Sequence, residues 1–285
     1  MNYIKLLSIL TLLALISCSP RTTVRLTDKS LPPWDPAEGF ALVTPDEEVE
    51  INEDDYIGFF ALQDGGLTIK CDYYTMLNLA KEKAFASGAN VIKITKVKEP
   101  DFASTCYRLY GRLYHVEDYK KYETKIHKTE ERKLVPSDFK GDHENRPWAV
   151  RSVHKIEFYW ERSKKNGYWY YKTDPVFMCK DSYFNPEKAT DKHLEIENVK
   201  FDITEKYARL IIKAMKDNGI INLKQYNKKI KKITDDLVDR WDKESDLFLY
   251  EIQEDPGKLN EWKFKIEKEL REMDHYKMKK LLIKV

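Results

Sequence analysis

The sequence predicts an α+β fold in two domains, and three observations carry that reading. Residues 46–117 run strand, helix, strand, strand, a small βαββ module. Residues 118–133 are charged and almost free of apolar side chains, which marks a linker. Residues 134–285 open with a hairpin signal at Asn166-Gly167 and continue as three helical stretches, so a short antiparallel sheet precedes a mostly helical region. The composition supports folded domains: 42% of the residues are hydrophobic and 13% aromatic, enough to bury a core. With 50 Lys and Arg against 48 Asp and Glu the net charge is +2, which gives no reason to expect a nucleic-acid partner. Mean hydropathy of −0.65 and a single long apolar run exclude a polytopic membrane protein.

In chain order, residues 1–17 carry Lys5 and then the apolar run Leu6 to Ile16. At the helical rise that run covers roughly half of the hydrocarbon thickness, so it reads as a signal peptide and not as a spanning helix. The following Leu15-Ile16-Ser17-Cys18 resembles the bacterial lipobox. The resemblance implies lipidation of Cys18 on sulfur, cleavage before it and acylation of the new amino terminus, hence a membrane partner through a lipid anchor. By resemblance to enteric lipoproteins, Ser19 in place of Asp favours the outer membrane. The segment Ser19-Pro20-Arg21-Thr22-Thr23 lacks the acidic cluster of surface-exported lipoproteins of the Bacteroidetes type, which favours the periplasmic face. Residues 18–45, with Leu31-Pro32-Pro33-Trp34-Asp35-Pro36, read as the lipidated Cys and a tether.

In the small domain, Tyr56 to Leu62 reads as a strand that stops at Asp64-Gly65-Gly66. Asp72 is placed to cap a helix over Tyr73 to Ala86, with Met76, Leu79, Ala80 and Lys83 at three- and four-residue spacing and Gly88 at its end. Val91 to Val97 and Cys106 to Tyr114 read as two more strands. The run Ser87-Gly88-Ala89-Asn90-Val91-Ile92 after this helix resembles envelope domains of the RcsF and YbjQ-like kind, which sense or bind. Cys71 and Cys106 flank the helix and the last strand, and an exported location permits a disulfide between them. Cys179, beside Met178 at the end of an apolar strand, reads as a buried inert thiol.

In the second domain, Val153 to Glu161 and Tyr168 to Met178 flank Asn166-Gly167 as a hairpin. Tyr159, Trp160, Tyr168, Trp169, Tyr170 and Tyr171 read as cross-strand packing within it. Helices are expected over about residues 190–217, 223–248 and 258–280.

The stretch Leu194 to Arg209 resembles the central helix of an uncharacterised family of bacterial zinc peptidases with a His-Glu-x-x-His motif. Leu134-Val135-Pro136-Ser137-Asp138-Phe139-Lys140-Gly141 looks like that family's entry motif. Trp241-Asp242-Lys243-Glu244-Ser245 and Trp262 to Tyr276 resemble its later segments. The resemblance implies a zincin-like domain over 134–285. Zinc on a helix needs His at i and i+4 with Glu at i+1. Here those positions hold Ile196, Glu197 and Lys200, so the Glu survives and both ligands are gone. The expectation is a vestigial site without catalytic residues, metal or cofactor, in which Glu197 and Lys200 pair. The expected function is non-catalytic binding or scaffolding with an envelope protein or the cell wall as partner. Two alternatives stand beside it: an active zinc-dependent hydrolase with a displaced site built on His193, Glu197 and Asp242, and an envelope-stress sensor.

Overall fold

The computed structural model describes residues 20–29, 31–65, 71–129, 132–163, 167–220 and 229–284. Cys18, the signal segment and Asn166 lie outside them. The chain is α+β and divides into two compact units, residues 1–124 and 125–285.

Among the described residues, the first unit is a five-stranded sheet in the order β1-β3-β5-β4-β2 with one α-helix. The strands are β1 (Arg21–Leu26), β2 (Ala41–Val43), β3 (Tyr56–Gln63), β4 (Val91–Lys98) and β5 (Arg108–Tyr114). All neighbours are antiparallel except β2 and β4. Helix α1 (Tyr73–Ala86) starts where Asp72 Oδ1 accepts from the Thr75 N–H at 3.1 Å and ends before Gly88 at φ +79°. Its buried face is Met76, Leu77, Ala80 and Ala84, one step round from the expected stripe, and Lys83 is exposed. That face packs on Ile57, Phe60, Leu62, Ile92, Leu109 and Leu113. Gly111 lies opposite Phe60, and a Cβ there would stand 2.5 Å from the ring, so the close pairing of β3 and β5 requires glycine. Cys71 and Cys106 form a disulfide with Cα atoms 5.0 Å apart, tying the entry of α1 to the approach to β5. Asn90 of the Gly-Ala-Asn run is buried, donates to Val116 O at 2.8 Å and accepts from Val116 N–H at 2.9 Å.

Two expectations need correction. Within the tether expected over 18–45, Arg21–Leu26 pairs with β3 as an edge strand and Ala41–Val43 extends the sheet at its other edge. The Trp34 N–H also donates to Phe85 O at 2.8 Å, fastening the Pro-rich segment to the end of α1. An edge strand covers little core and carries polar side chains, so Arg21-Thr22-Thr23-Val24-Arg25-Leu26 shows β-branched content without clean alternation. Within the linker expected over 118–133, Tyr122 joins the core of the first unit, while Lys125–His127 forms a strand of the second.

In the second unit, β8 (His154–Arg162) and β9 (Tyr168–Met178) form the expected hairpin, with Gly167 at φ +75°. Both β6 (Lys125–His127) and β11 (Lys280–Lys284) pair with the other edge of β9, while β7 (Val150–Arg151) and β10 (Tyr183–Phe184) form a separate pair. Trp160 and Tyr171 face each other in register with rings 5.0 Å apart, which is cross-strand packing.

The helices are α2 (Asp191–Asp217), α3 (Lys231–Glu254) and α4 (Lys258–Glu272). The third is shorter than expected: after a 3-10 turn over Asp274–Tyr276 the backbone reverses at Lys279, φ +45°, and Leu281 and Ile283 enter the sheet. Residues 223–228 of the expected second helix lie outside the described residues. The core joins Ile203, Tyr207 and Ile211 of α2 to Phe248, Ile252, Trp262 and Ile266, and to Ile156, Tyr171 and Ile283 of the sheet. Lys206 of α2 pairs with Glu244 of α3 and, at 3.0 Å, with Glu269 of α4, so one buried ammonium links three helices.

Candidate functional site

Glu197 sits on the face of α2 that carries Lys200 and Thr204 at i+3 and i+7, a spacing that stacks the three along one side of the helix. Opposite them runs Ser152-Val153-His154, which leads from β7 into the first residue of β8. In extended backbone Ser152 and His154 share a side, because successive side chains alternate. Both turn to α2: Lys200 Nζ donates to Ser152 Oγ at 2.5 Å, and His154 Nε2 lies 3.0 Å from the same oxygen. Lys200 Nζ stands 2.9 Å from Glu197 Oε2, and His154 Nε2 stands 3.6 Å from it. Phe177 and Phe201 close the apolar side, with ring centroids 5.4 and 5.3 Å from the imidazole.

The side chains of Glu197 and His154 are 8% and 5% exposed, so their charges are set inside the protein. Burial raises the Glu197 carboxyl, yet the Lys200 ammonium and the hydrogen bonds from His154 and Ser152 outweigh it and hold the pKa down to about 2. Burial pushes the His154 imidazole below its ordinary value, and the nearby Lys200 charge adds to that against the pull of Glu197. At neutral pH the cluster therefore holds a carboxylate, an ammonium and a neutral imidazole. Ser152 Oγ accepts from Lys200 and shares a hydrogen bond with His154 Nε2. His154 Nδ1 has no hydrogen-bond partner among the described residues.

Three chemistries can be weighed against this arrangement. A nucleophilic serine needs a base on one imidazole nitrogen and an orienting acid on the other. Here Ser152 and Glu197 both address Nε2, and Lys200 is committed to a carboxylate, so no relay to Ser152 is formed. A zinc centre needs three or four convergent donors. Among the described residues no group of three His, Cys, Asp or Glu side chains is placed to hold a metal ion. The set His193, Glu197 and Asp242 is not assembled: His193 Nδ1 accepts from the Thr190 N–H at 3.1 Å as part of the α2 cap, while Glu197 faces Lys200. Binding is the third. A cavity of about 490 Å3 opens over the cluster, lined by residues 151–154, Lys200 and Thr204 on one side, the Arg151 guanidinium among them, and by Trp241, Asp242, Ser245 and Asp246 of α3 on the other. That size suits a small ligand.

The residues singled out in the sequence are thus distributed as follows. Glu197 and Lys200 meet, Asp242 lines the adjoining cavity, and Ile196 packs half-buried against the core. Cys179 is a buried cysteine outside the disulfide, packed among Phe139, Phe177 and Phe201. Ser152 and His154 were not anticipated, and their i,i+2 spacing beside a strand is the one signal that could have joined them. The entry motif also reaches α2: Leu134 N–H donates to Asn198 Oδ1 at 2.8 Å, and Asn198 Nδ2 donates back to Leu134 O at 3.2 Å. Asp138 of that motif is buried and paired with Arg132 at 2.7 Å. Among the described residues no helix is long and apolar enough to cross a membrane. Comparison of the chain with protein-family profiles, with curated proteins and with solved structures gives no match in any of the three.

Proposed function

We propose that this chain is a cell-envelope lipoprotein, anchored through Cys18, whose second unit is a zincin-like frame that binds and does not cleave. The observation that carries the reading is the buried Glu197–Lys200 ion pair at 2.9 Å. It occupies the helix positions at which the resembling peptidases place a general base and a zinc ligand. An ammonium there repels a dication, and the carboxylate it neutralises is unavailable as a base. The segments that carry the resemblance converge on α2: the entry motif through Leu134 and Asn198, the Trp241–Ser245 run through the shared cavity, and Trp262 through the core. Such a cleft survives loss of the metal because strands and helices shape it by packing. The partner class is an envelope protein or cell-wall material.

Incubating the purified chain with a casein peptide mixture, with and without added zinc, is expected to leave every peptide intact. Zinc-dependent cleavage that disappears in Glu197→Gln would overturn the reading in favour of an active hydrolase. For the anchor, Cys18→Ala is expected to move the protein from the membrane to the soluble fraction. Unchanged membrane retention would sink that part alone.

A further inference from the structure

Helix α1 packs on one side of the first sheet, on Phe60, Leu62, Leu109 and Leu113. The alternate residues of the same strands form the far side, because side chains alternate and directly opposed residues share a face. There Arg25, Phe59, Arg112 and Lys93 stand in one cross-strand row, and Thr23, Ala61, Tyr110 and Lys96 in the next. None of the five strands contains an Asp or a Glu. In a chain whose net charge is only +2, this face is one-sidedly basic.

Carboxylates from the flanking segments answer part of that charge. Arg112 pairs with Glu53 at 2.7 Å, and Arg108 with Asp101 at 2.6 Å. Lys93 donates to Val49 O at 2.5 Å and lies within the field of Glu53. Glu53 belongs to the acid-rich segment 46–55, which borders the face where Ile51 packs with Val91 and Tyr114. Away from that border four exposed cations have no carboxylate partner among the described residues: Arg21 and Arg25 on β1, Lys96 and Lys98 on β4. Strands β3 and β5 separate β1 from β4, so the cations form two rails about 14 Å apart. Between them Phe59 is 36% exposed, with the Arg25 guanidinium 5.9 Å from its ring.

Two cationic rails on an open sheet face complement an extended anionic surface. The sequence supplies one nearby. Cys18 precedes Arg21 by three residues, which span at most about 11 Å. A lipid on Cys18 therefore holds β1 within about a Debye length of the headgroups. We propose that the open face of the first sheet lies against anionic phospholipid headgroups, with Arg21, Arg25, Lys96 and Lys98 as its contacts. The acyl anchor supplies the firm attachment, and the face sets how the first unit sits on the membrane. The nearness of the bilayer depends on the reading of Cys18 as lipidated, whereas the charge of the face does not.

Vesicle co-sedimentation tests it, with the full chain carrying Cys18→Ala so that no lipid anchor contributes. The probes are phosphatidylcholine vesicles with and without about a third of phosphatidylglycerol. The apolar run Leu6 to Ile16 enters both alike, so the difference between them reads the face. Tighter binding to the anionic vesicles is expected at about 50 mM salt, and no difference at about 0.5 M. A cation at an anionic surface contributes about five-fold in affinity. With at least half of the four in contact, Arg21→Gln/Arg25→Gln/Lys96→Gln/Lys98→Gln is expected to weaken anionic-vesicle binding by about twenty-five-fold or more. The control removes as much charge from exposed lysines of the second unit, as Lys192→Gln/Lys231→Gln/Lys232→Gln/Lys268→Gln, and is expected to change binding by less than about two-fold. All eight side chains are exposed, so both variants keep the fold, which circular dichroism checks. Equal binding of the two vesicle types, or equal losses in the two variants, overturns the proposal. So does capture of dextran sulfate without preference for anionic vesicles, which assigns the face to a soluble polyanion. The anchor is read separately: retention of Cys18→Ala on cell membranes through a wash at about 0.5 M salt sinks the lipidation and leaves the face standing.

Discussion

Lys200 has two tasks that a neutral side chain cannot share: it neutralises a carboxylate out of reach of water and donates to Ser152 Oγ. On an exposed helix face an i,i+3 pair contributes a few tenths of a kcal/mol. With Glu197 only 8% exposed the accounting changes, because removing one partner strands the other charge in the interior. Lys200→Met is therefore expected to lower stability by about 3–5 kcal/mol in denaturant titrations. Adding Glu197→Gln should restore a large part of that loss, since the stranded charge is then gone. Additive losses in the double variant would show that the two side chains are not coupled.

The imidazole beside them gives a pH prediction. His154 is held neutral when folded, with its pKa below 6.5, so the unfolded chain binds a proton there at higher pH than the folded chain. Stability is thus lost as pH falls below about 6.5, until the folded imidazole also protonates. Glu197, depressed from 4.5 to about 2, adds a second loss that begins only as pH falls through about 4.5. Measured between about pH 7 and pH 5, the stability of His154→Gln should fall less than that of the wild type. An unchanged slope would mean that His154 is not buried neutral.

Among the elements, α1 shows most directly how local chemistry sets a boundary. Asp72 accepts both from the Thr75 N–H at 3.1 Å and from its hydroxyl at 2.6 Å. Asp72→Ala is expected to cost about 1 kcal/mol, read as a lowered melting temperature of the first unit. The elements legible in the sequence are those with strong local signals. Helix α1 had a cap and a glycine stop, β3 to β5 were apolar runs between turn residues, and the β8–β9 hairpin had Asn166-Gly167. The elements that were not legible depend on partners distant in sequence. Arg21–Leu26 is a strand because β3 offers it an edge, and Lys280–Lys284 because Lys279 turns the chain back onto β9. The site divides the same way. Glu197 and Lys200 are three residues apart on one helix, so their pairing follows from spacing. Ser152 and His154 join them only after a strand folds against α2, and their i,i+2 spacing alone does not say which partner they meet.

At the scale of the whole chain, the two units are held by different devices. The first unit closes the Cys71–Cys106 loop, 35 residues in sequence separation, with a disulfide. On the chain-entropy account such a loop contributes about 3–4 kcal/mol. Cys71→Ser/Cys106→Ser should lower the unfolding midpoint of that unit accordingly while leaving the second unit unchanged, and hydrogen exchange resolves the two separately. In the second unit Lys206 links three helices, Asn198 bonds Leu134 in both directions, and a cleft lies over the Glu197–Lys200 pair. The most direct measurement is the zinc content of the purified full-length chain after dialysis against zinc-buffered solution, by inductively coupled plasma mass spectrometry. A cleft that binds without a metal, as proposed above, is expected to hold well under a tenth of a zinc per chain, in the wild type and in Glu197→Gln alike. One zinc per chain, lost on substitution of Glu197, would contradict it.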